Sequence, residues 1–362
     1  MNRIYIYVYK GRVGLAEKIR LSNFESLRVL SMVMIVLLHF GTYGFSKYIA
    51  ISELSTVNQY LFHFIKVLCI VGVNVYVLIS GYFLCKSQFK MSKVLRVVRE
   101  TFIFSVLIFA GLTVLQLTDG SYTSFIRSVF PVYLSTYWFI TVYIALFMLS
   151  PYLNILINQL SKRDYGKFLF LLFMINCVWQ FFHPLGSFGV NGGYSIVHFI
   201  FLYFVAGYLR HHGQFLSALN KHYYLSVYIL LGAVTALVLL QSWELPFKLL
   251  SYNSPIIVAM SLALFLFFSK LTFVSRPINF ISGYVLGVYL IHEHPLIRQR
   301  LWNHVMEWMR TGNESLLIVQ YLVYAVLIFG ICLGTSYVMY SMINYKTLLK
   351  KKDPVKKVKM AG

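Results

Sequence analysis

Charge is what this chain has least of. Only 12% of its 362 residues are Asp, Glu, Lys or Arg, against about a quarter in soluble proteins. The acidic share is smaller still, with 11 Asp and Glu in all. Cysteine is nearly absent. Cys69, Cys85, Cys177 and Cys332 stand singly inside apolar runs, without CxxC or metal-like spacing. That pattern excludes a disulfide framework and a thiolate metal site, and the four read as small buried hydrophobes. Nor do the first twenty residues, basic and aromatic without a small-residue cleavage site, resemble a cleavable signal peptide.

What is present is apolar surface. Hydrophobic residues make up 59% of the chain and mean hydropathy is +0.71, too much for a water-soluble protein of this length to hide. Lipid has to be the solvent for most of it. The aromatic share of 18%, with 28 Tyr and 31 Phe, suits rings at membrane interfaces and in cavities between helices.

The net charge of +21 is explained by its placement. Ten apolar segments of spanning length lie near 24–44, 59–85, 101–118, 134–157, 167–183, 195–210, 223–243, 254–274, 278–296 and 315–345. The second and tenth are long enough to tilt or to project from the bilayer. The connections alternate in charge. On one side fall the N-terminal arm (Arg3, Lys10, Arg12, Lys18, Arg20) and the 86–99 loop (Lys86, Lys90, Lys93, Arg96, Arg99). The same side takes Lys162, Arg163, Lys167, Arg210, Lys221, Lys270 and Arg276, and the tail lysines 346, 350, 351, 352, 356, 357 and 359. Those are 24 basic residues; the other side has six, Lys47, Arg127, Lys248, Arg298, Arg300 and Arg310. The positive-inside rule makes the rich side cytoplasmic. Nucleic acid is then an unnecessary explanation of the charge. The fold expected is an all-α integral membrane protein of about ten transmembrane helices, with both termini cytoplasmic. Residues 1–22 form a basic amphipathic arm at the lipid surface, 23–345 the membrane domain, and 346–362 a basic cytoplasmic tail.

Ionisable groups inside spans are costly and are functional candidates by default. Arg28 and His39 share the first span. Eleven residues at about 100° each return to within about 20° of the starting direction after roughly 16 Å of rise. Both therefore lie on one face, with Arg28 near the inner interface and His39 deep, toward the outer half. Glu25, one turn before Arg28, is placed to neutralise it. The plainer alternative is a snorkelling arginine and a hydrogen-bonded packing histidine.

A basic residue, ten residues, then histidine, in NFESLRVLSMVMIVLLHF, resembles the first helix of the membrane-bound acyltransferase-3 family of O-acyltransferases. The resemblance continues through NVYVLISGYFL (74–84), YWFITVYIALFMLSPYLN (137–154) and GGYSIVHFIFLYFVAGYLR (192–210). It ends with YNSPIIVAMSLALFLFF (252–268) and INFISGYVLGVYLIHEHP (278–295). The subgroup it resembles is bacterial enzymes that acetylate surface polysaccharides, capsular ones especially. The resemblance implies acyl transfer from cytosolic acyl-CoA, most simply acetyl-CoA, to a carbohydrate hydroxyl. The histidine of the first helix, His39 here, is implied to be essential.

The residue types suit that chemistry. A sugar hydroxyl is a poor nucleophile near neutral pH and needs a base as the new bond forms, a role for which histidine is the natural choice. His292, Glu293 and His294 stand at the outer end of the ninth span, so they and His39 are expected at one level of the membrane. Glu293 is a candidate to orient a protonated imidazole; alternatively HEHP only marks a helix end before Pro295. Trp138, His198, His292 and His294 are candidate acceptor contacts, though Trp138 also reads as an interface anchor and His198 as packing. For the donor, whose phosphates need cations, the candidates are Arg28 with Ser80, Gly81 and Tyr82 on the second helix. Asn74 and Gly81 share a face there, and the glycine admits either another helix or a pantetheine arm.

No metal and no permanently bound cofactor is expected; the partners are acyl-CoA, a carbohydrate acceptor and membrane lipid. The location implied is a bacterial plasma membrane. A transporter or flippase of a glycan or small acid, or an acyltransferase for another donor such as succinyl-CoA, stands as the alternative. Transporters often carry repeated halves with broken helices at matching positions; no such repeat is visible. The residues do not distinguish a covalent acyl-histidine from direct transfer.

Overall fold

The computed structural model describes residues 5–9, 16–182, 189–241, 246–309 and 314–351. Each of the ten expected spans is helical over most or part of its described length. In lipid an apolar segment satisfies its own peptide groups only by coiling, and the few hydroxyls follow the same logic. Ser80, Thr101, Thr235 and Ser261 each donate to the carbonyl four residues back on their own helix.

Among the described residues, seven helices are long and apolar enough to cross a membrane. They are α1 (Asn23–Tyr48), α2 (Thr56–Leu84), α3 (Met91–Val114), α4 (Trp138–Gln159), α5 (Lys162–Phe182), α7 (Lys221–Gln241) and α11 (Glu314–Lys351). Between them lie α6 (Ile196–His212), α8 (Pro255–Ser269) and α9 (Val285–His292), with α10 (Pro295–Trp308) following α9. Residues 276–281 form a six-residue helix before α9. Helices α1 and α2 are the innermost, 61% and 72% buried against 17–39% for the other five long ones.

The short helices matter most for function. A 15-residue helix such as α8 rises only about 22 Å against a hydrocarbon core of about 30 Å. Backbone that stops short of the interface is tolerated only where protein covers it. Asn253, Ser254, His292, Glu293 and His294, at the outer ends of α8 and α9, are all buried, and so is His198 in the first turn of α6. The polar residues singled out above are therefore enclosed by the long helices.

Close packing explains Gly81. A methyl group there would meet Ala206 Cβ at 2.9 Å and Tyr203 Cα at 3.1 Å, both on α6. The notch is filled by a helix, which leaves no room at that point for a thioester arm. At the inner end, Ser22 and Asn23 tie the start of α1 to residues 251 and 245 positions away. Ser22 N–H donates to Phe273 O at 2.9 Å, and Asn23 Nδ2 to Phe268 O at 3.1 Å.

The N-terminal arm is a two-stranded antiparallel ribbon, β1 (Tyr5–Tyr9) against β2 (Ala16–Arg20), with Tyr5 opposite Arg20. Its Arg3, Lys10 and Arg12, the tail beyond Lys351, and Arg310 lie outside the described residues.

The orientation set by the basic loops has a direct consequence. All four native cysteines are buried, so an engineered thiol reads out cleanly. A membrane-impermeant maleimide added to intact cells should label Ser46→Cys, exposed in the last turn of α1, and spare Ser92→Cys, exposed at the start of α3. The reverse pattern would invert the topology.

Candidate active site

The end of α1 and the end of α9 meet. His39 Nδ1 lies 3.0 Å from His292 Nε2 and 3.0 Å from Glu293 Oε2. These groups are 253 and 254 positions apart in sequence and come from two helices propped in the same way. Tyr321, on α11, donates its hydroxyl to Leu37 O at 2.6 Å. Tyr137, before α4, donates to Leu290 O at 3.0 Å. Each carbonyl stands two residues before the histidine its helix presents, so both imidazoles sit on buttressed backbone. The aromatic stack of Phe40 on Trp302, with centroids 5.1 Å apart, clamps α1 to α10 beside them.

The hydrogen bonds determine which nitrogen of His39 carries the proton. His292 Nδ1 is 2.6 Å from Val288 O. A carbonyl only accepts, so His292 is protonated on Nδ1 and its Nε2 is an acceptor. His39 Nδ1 must then be the donor to it. The Glu293 carboxylate lies off that line and offers the same N–H a second, charged acceptor. His39 Nε2 is left with a lone pair, on a side chain 13% exposed. This is the arrangement of a base whose orienting carboxylate stabilises the imidazolium once a proton arrives.

Two participants carried no signal in the sequence. Arg298, on α10, donates from Nη1 to Glu293 Oε1 at 2.6 Å. Its guanidinium also lies 4.5 Å from the Tyr43 ring centroid and 3.4 Å from the Tyr43 hydroxyl. Arg298 reads from sequence as an outer-loop cation. Nothing local shows that Pro295 starts a helix whose first turn returns it to Glu293. Tyr43 follows His39 by four residues, but the chain between them passes into a π-helical turn, Gly41–Phe45. Such turns recur at functional sites because the extra residue per turn re-aims side chains.

His39, His292 and Glu293 also offer three donor atoms within 4.8 Å of one another, as a metal site would. Ligands about 2.0–2.1 Å from a tetrahedral zinc stand roughly 3.3 Å apart. The observed 3.0 Å between the imidazoles is hydrogen-bond spacing, and Arg298 already occupies the other carboxylate oxygen. The geometry fits a hydrogen-bonded relay better than a preformed metal centre.

A family profile described as an acyltransferase domain matches residues 21–340, which includes every member of this cluster. The chain belongs to the acyltransferase-3 family. No curated protein and no solved structure matches it.

In this acyltransferase the remaining candidates have other partners. Arg28 is 6% exposed and holds Glu25 at 2.8 Å, with its guanidinium 5.9 Å from the Phe83 ring. Ser80 donates within its own helix, and Tyr82 accepts from Arg210 Nη1 at 2.9 Å beneath a cation–π contact of 4.6 Å. His198 spends both ring nitrogens on asparagines, Nε2 on Asn74 Oδ1 at 3.0 Å and Nδ1 on Asn176 Nδ2 at 2.9 Å. Asn74 Nδ2 in turn donates to Tyr252 O, and Asn253 Nδ2 to Asn176 O. This fully buried network of three helices and the connection before α8 leaves His198 no hydrogen bond for a substrate. His294 accepts from Leu296 N–H at 3.2 Å and so caps α10. Trp138 packs on Tyr194 and Tyr252, with centroids 4.5 and 5.9 Å away, forming an aromatic wall at the outer end of α4.

Proposed function

We propose that this membrane acyltransferase moves an acetyl group from cytosolic acetyl-CoA to a hydroxyl of a cell-surface glycan, such as a capsular polysaccharide or its lipid-linked precursor. The observation that carries the reading is the free Nε2 lone pair of His39 behind a Glu293-supported Nδ1–H. In the step envisaged, His39 Nε2 takes the proton of the acceptor hydroxyl as its oxygen attacks the thioester carbonyl. The tetrahedral intermediate collapses with loss of the C–S bond, and the imidazolium returns the proton to the departing thiolate. Glu293 stabilises the imidazolium between the two transfers, and Arg298 keeps the carboxylate ionised and aimed. No redox partner is required.

The inner half of α1 suits the donor, with Arg28 and, across the Tyr82 ring, Arg210 near the cytoplasmic end. A charge-assisted hydrogen bond contributes about 1.5–3 kcal/mol, or roughly 10- to 100-fold in affinity. Arg28→Ala should therefore raise KM for acetyl-CoA by about that factor and leave KM for the acceptor unchanged. Arg28→Lys should recover part of the loss, since charge survives while the planar fork does not. Because Glu25 would be left buried beside the truncation, melting temperature has to be read alongside. An Arg28→Ala protein with a normal dependence on acetyl-CoA would remove the donor role.

The test of the function itself is transfer of radiolabelled acetyl from acetyl-CoA to base-deacetylated surface glycan by membranes containing the protein. Label in the glycan that depends on the protein supports the reading. Label from another acyl-CoA but not from acetyl-CoA would move the donor, and none from any would remove the glycan acceptor.

A further inference from the structure

Arg298 commits only one corner of its guanidinium to the protein. Both of its hydrogen bonds leave from Nη1, to Glu293 Oε1 at 2.6 Å and to the Tyr43 hydroxyl at 3.4 Å. A guanidinium carries five N–H donors in one plane. The edge formed by Nε and Nη2 meets no acceptor among the described residues, and it is open to solvent rather than sealed in. The side chain is 36% exposed, beside a carboxylate that is 6% exposed. An unspent cationic edge thus stands at the rim of an enclosed site.

That edge is held in one direction. Nη1 is tied to the carboxylate, and the guanidinium lies over the Tyr43 ring, 4.5 Å from its centroid. One in-plane anchor and one stacked face leave a planar group little freedom to turn. Tyr43 is placed by the π-helical turn Gly41–Phe45, and its ring centroid is 5.7 Å from that of His39. Imidazole and guanidinium therefore flank the same ring. They also sit on the two oxygens of one carboxylate, His39 Nδ1 on Oε2 and Arg298 Nη1 on Oε1. What the pair leaves uncommitted is His39 Nε2 and the Arg298 edge.

Charge decides what the edge is for. With His39 neutral at rest, Glu293 and Arg298 cancel. Attack on a thioester creates two new charges, an imidazolium on His39 and an oxyanion on the former carbonyl oxygen. The imidazolium has Glu293. The oxyanion needs a donor already in place, and such donors contribute most where water is largely excluded. Apart from the two histidines, Arg298 is the cation whose charge reaches Glu293 among the described residues. With its edge on the oxyanion, the row runs imidazolium, carboxylate, guanidinium, oxyanion, alternating in sign and neutral in sum.

We infer that Arg298 is a catalytic residue whose Nε–Nη2 edge donates to the thioester carbonyl oxygen and holds the negative charge of the tetrahedral intermediate. The acceptor oxygen bonds to the carbonyl carbon as His39 Nε2 takes its proton, and the π pair of the C=O bond moves onto the oxygen facing Arg298. That pair returns as the C–S bond breaks and the thiolate takes the proton from His39. No proton leaves the guanidinium, which stays charged throughout. The inference rests on His39 as the base of the transfer proposed above, and it holds for any acceptor hydroxyl.

The test compares purified wild type, Arg298→Lys and Arg298→Gln in acetyl transfer from acetyl-CoA to deacetylated surface glycan, with the melting temperature of each. Removing one oxyanion donor costs about 10²- to 10³-fold in kcat, and Arg298→Gln should show that loss with both KM values unchanged. Arg298→Lys keeps a charge opposite Glu293 and should keep the melting temperature. A compact ammonium cannot serve carboxylate and oxyanion together, so its kcat should still fall by at least about 10-fold. If Arg298→Gln melts low because Glu293 has lost its counter-charge, Arg298→Lys decides. The pH profile separates this role from one exerted through Glu293 alone. A guanidinium needed only to keep the carboxylate ionised is replaceable by higher pH, whereas the loss of an oxyanion donor persists across the profile. Recovery of the variants at high pH, a wild-type kcat for Arg298→Lys, or a loss confined to KM for the acceptor would each overturn the assignment. In those outcomes wild type transfers acetyl and only the role of Arg298 falls. A wild type that passes no acetyl from acetyl-CoA to glycan removes the proposed function, and this role with it.

Discussion

Replacing His39 by alanine or glutamine should lower acyl transfer by about 10²- to 10⁴-fold, the usual contribution of a general base, in a protein that still inserts and folds. The side chain is only partly enclosed, and its one hydrogen-bonding nitrogen faces His292 and Glu293. His39→Gln keeps a donor at about the position of Nδ1 and so preserves the cluster while deleting the Nε2 lone pair. A packing role and a catalytic role then separate: packing loss appears as a lower melting temperature, catalytic loss as a low kcat at an ordinary one. Alanine at His63, His211, His212 or His222 should leave most activity, since none of these meets Glu293.

The second large effect is expected at Glu293. Glutamine there is nearly isosteric, but its amide can present N–H to His39 Nδ1. The imidazole would then turn its proton to Nε2, the nitrogen that has to be bare. An orienting carboxylate changed to its amide costs up to about 10⁴-fold in serine proteases for this reason, and Glu293→Gln should lose on the order of 10²- to 10⁴-fold in kcat with little change in either KM. Arg298 complicates the stability side, because its guanidinium 2.6 Å from Oε1 is left without its counter-charge. Adding Arg298→Gln to Glu293→Gln should restore melting temperature and not activity. Recovery of activity in the double variant would show that Glu293 matters only as the partner of Arg298.

The architecture was largely legible because lipid leaves a chain few options. Apolar runs must be helices, and each of the ten segments read from hydropathy contains helix, though only seven helices among the described residues are long and apolar enough to cross. Less legible was that three of them are too short to cross alone. Hydropathy averages over the ends of α6, α8 and α9, which is where the buried polar residues sit. A common depth for His39 and the 292–294 group follows from helix rise and direction alone; that His39 touches His292 and Glu293 does not, since it depends on how the helices pack. Arg298 and Tyr43 were not, since one depends on the turn made at Pro295 and the other on an added residue in a π turn. His198 shows the limit from the other side. Its chemistry is that of a candidate ligand, yet Asn74 and Asn176, each unremarkable in its own segment, take both of its nitrogens. The N-terminal arm is a ribbon, a pairing that its basic, aromatic composition does not announce.

The central claim is that His39, with Glu293 behind it, draws the proton from the acceptor hydroxyl. Single-turnover transfer by purified wild type and His39→Gln, matched for melting temperature and saturated with labelled acetyl-CoA, tests it most directly. With deacetylated glycan present, wild type should pass label to glycan and release CoA in equal amounts, while His39→Gln binds acetyl-CoA normally and transfers at least about 10²-fold more slowly. Transfer by His39→Gln at close to the wild-type rate would contradict the account.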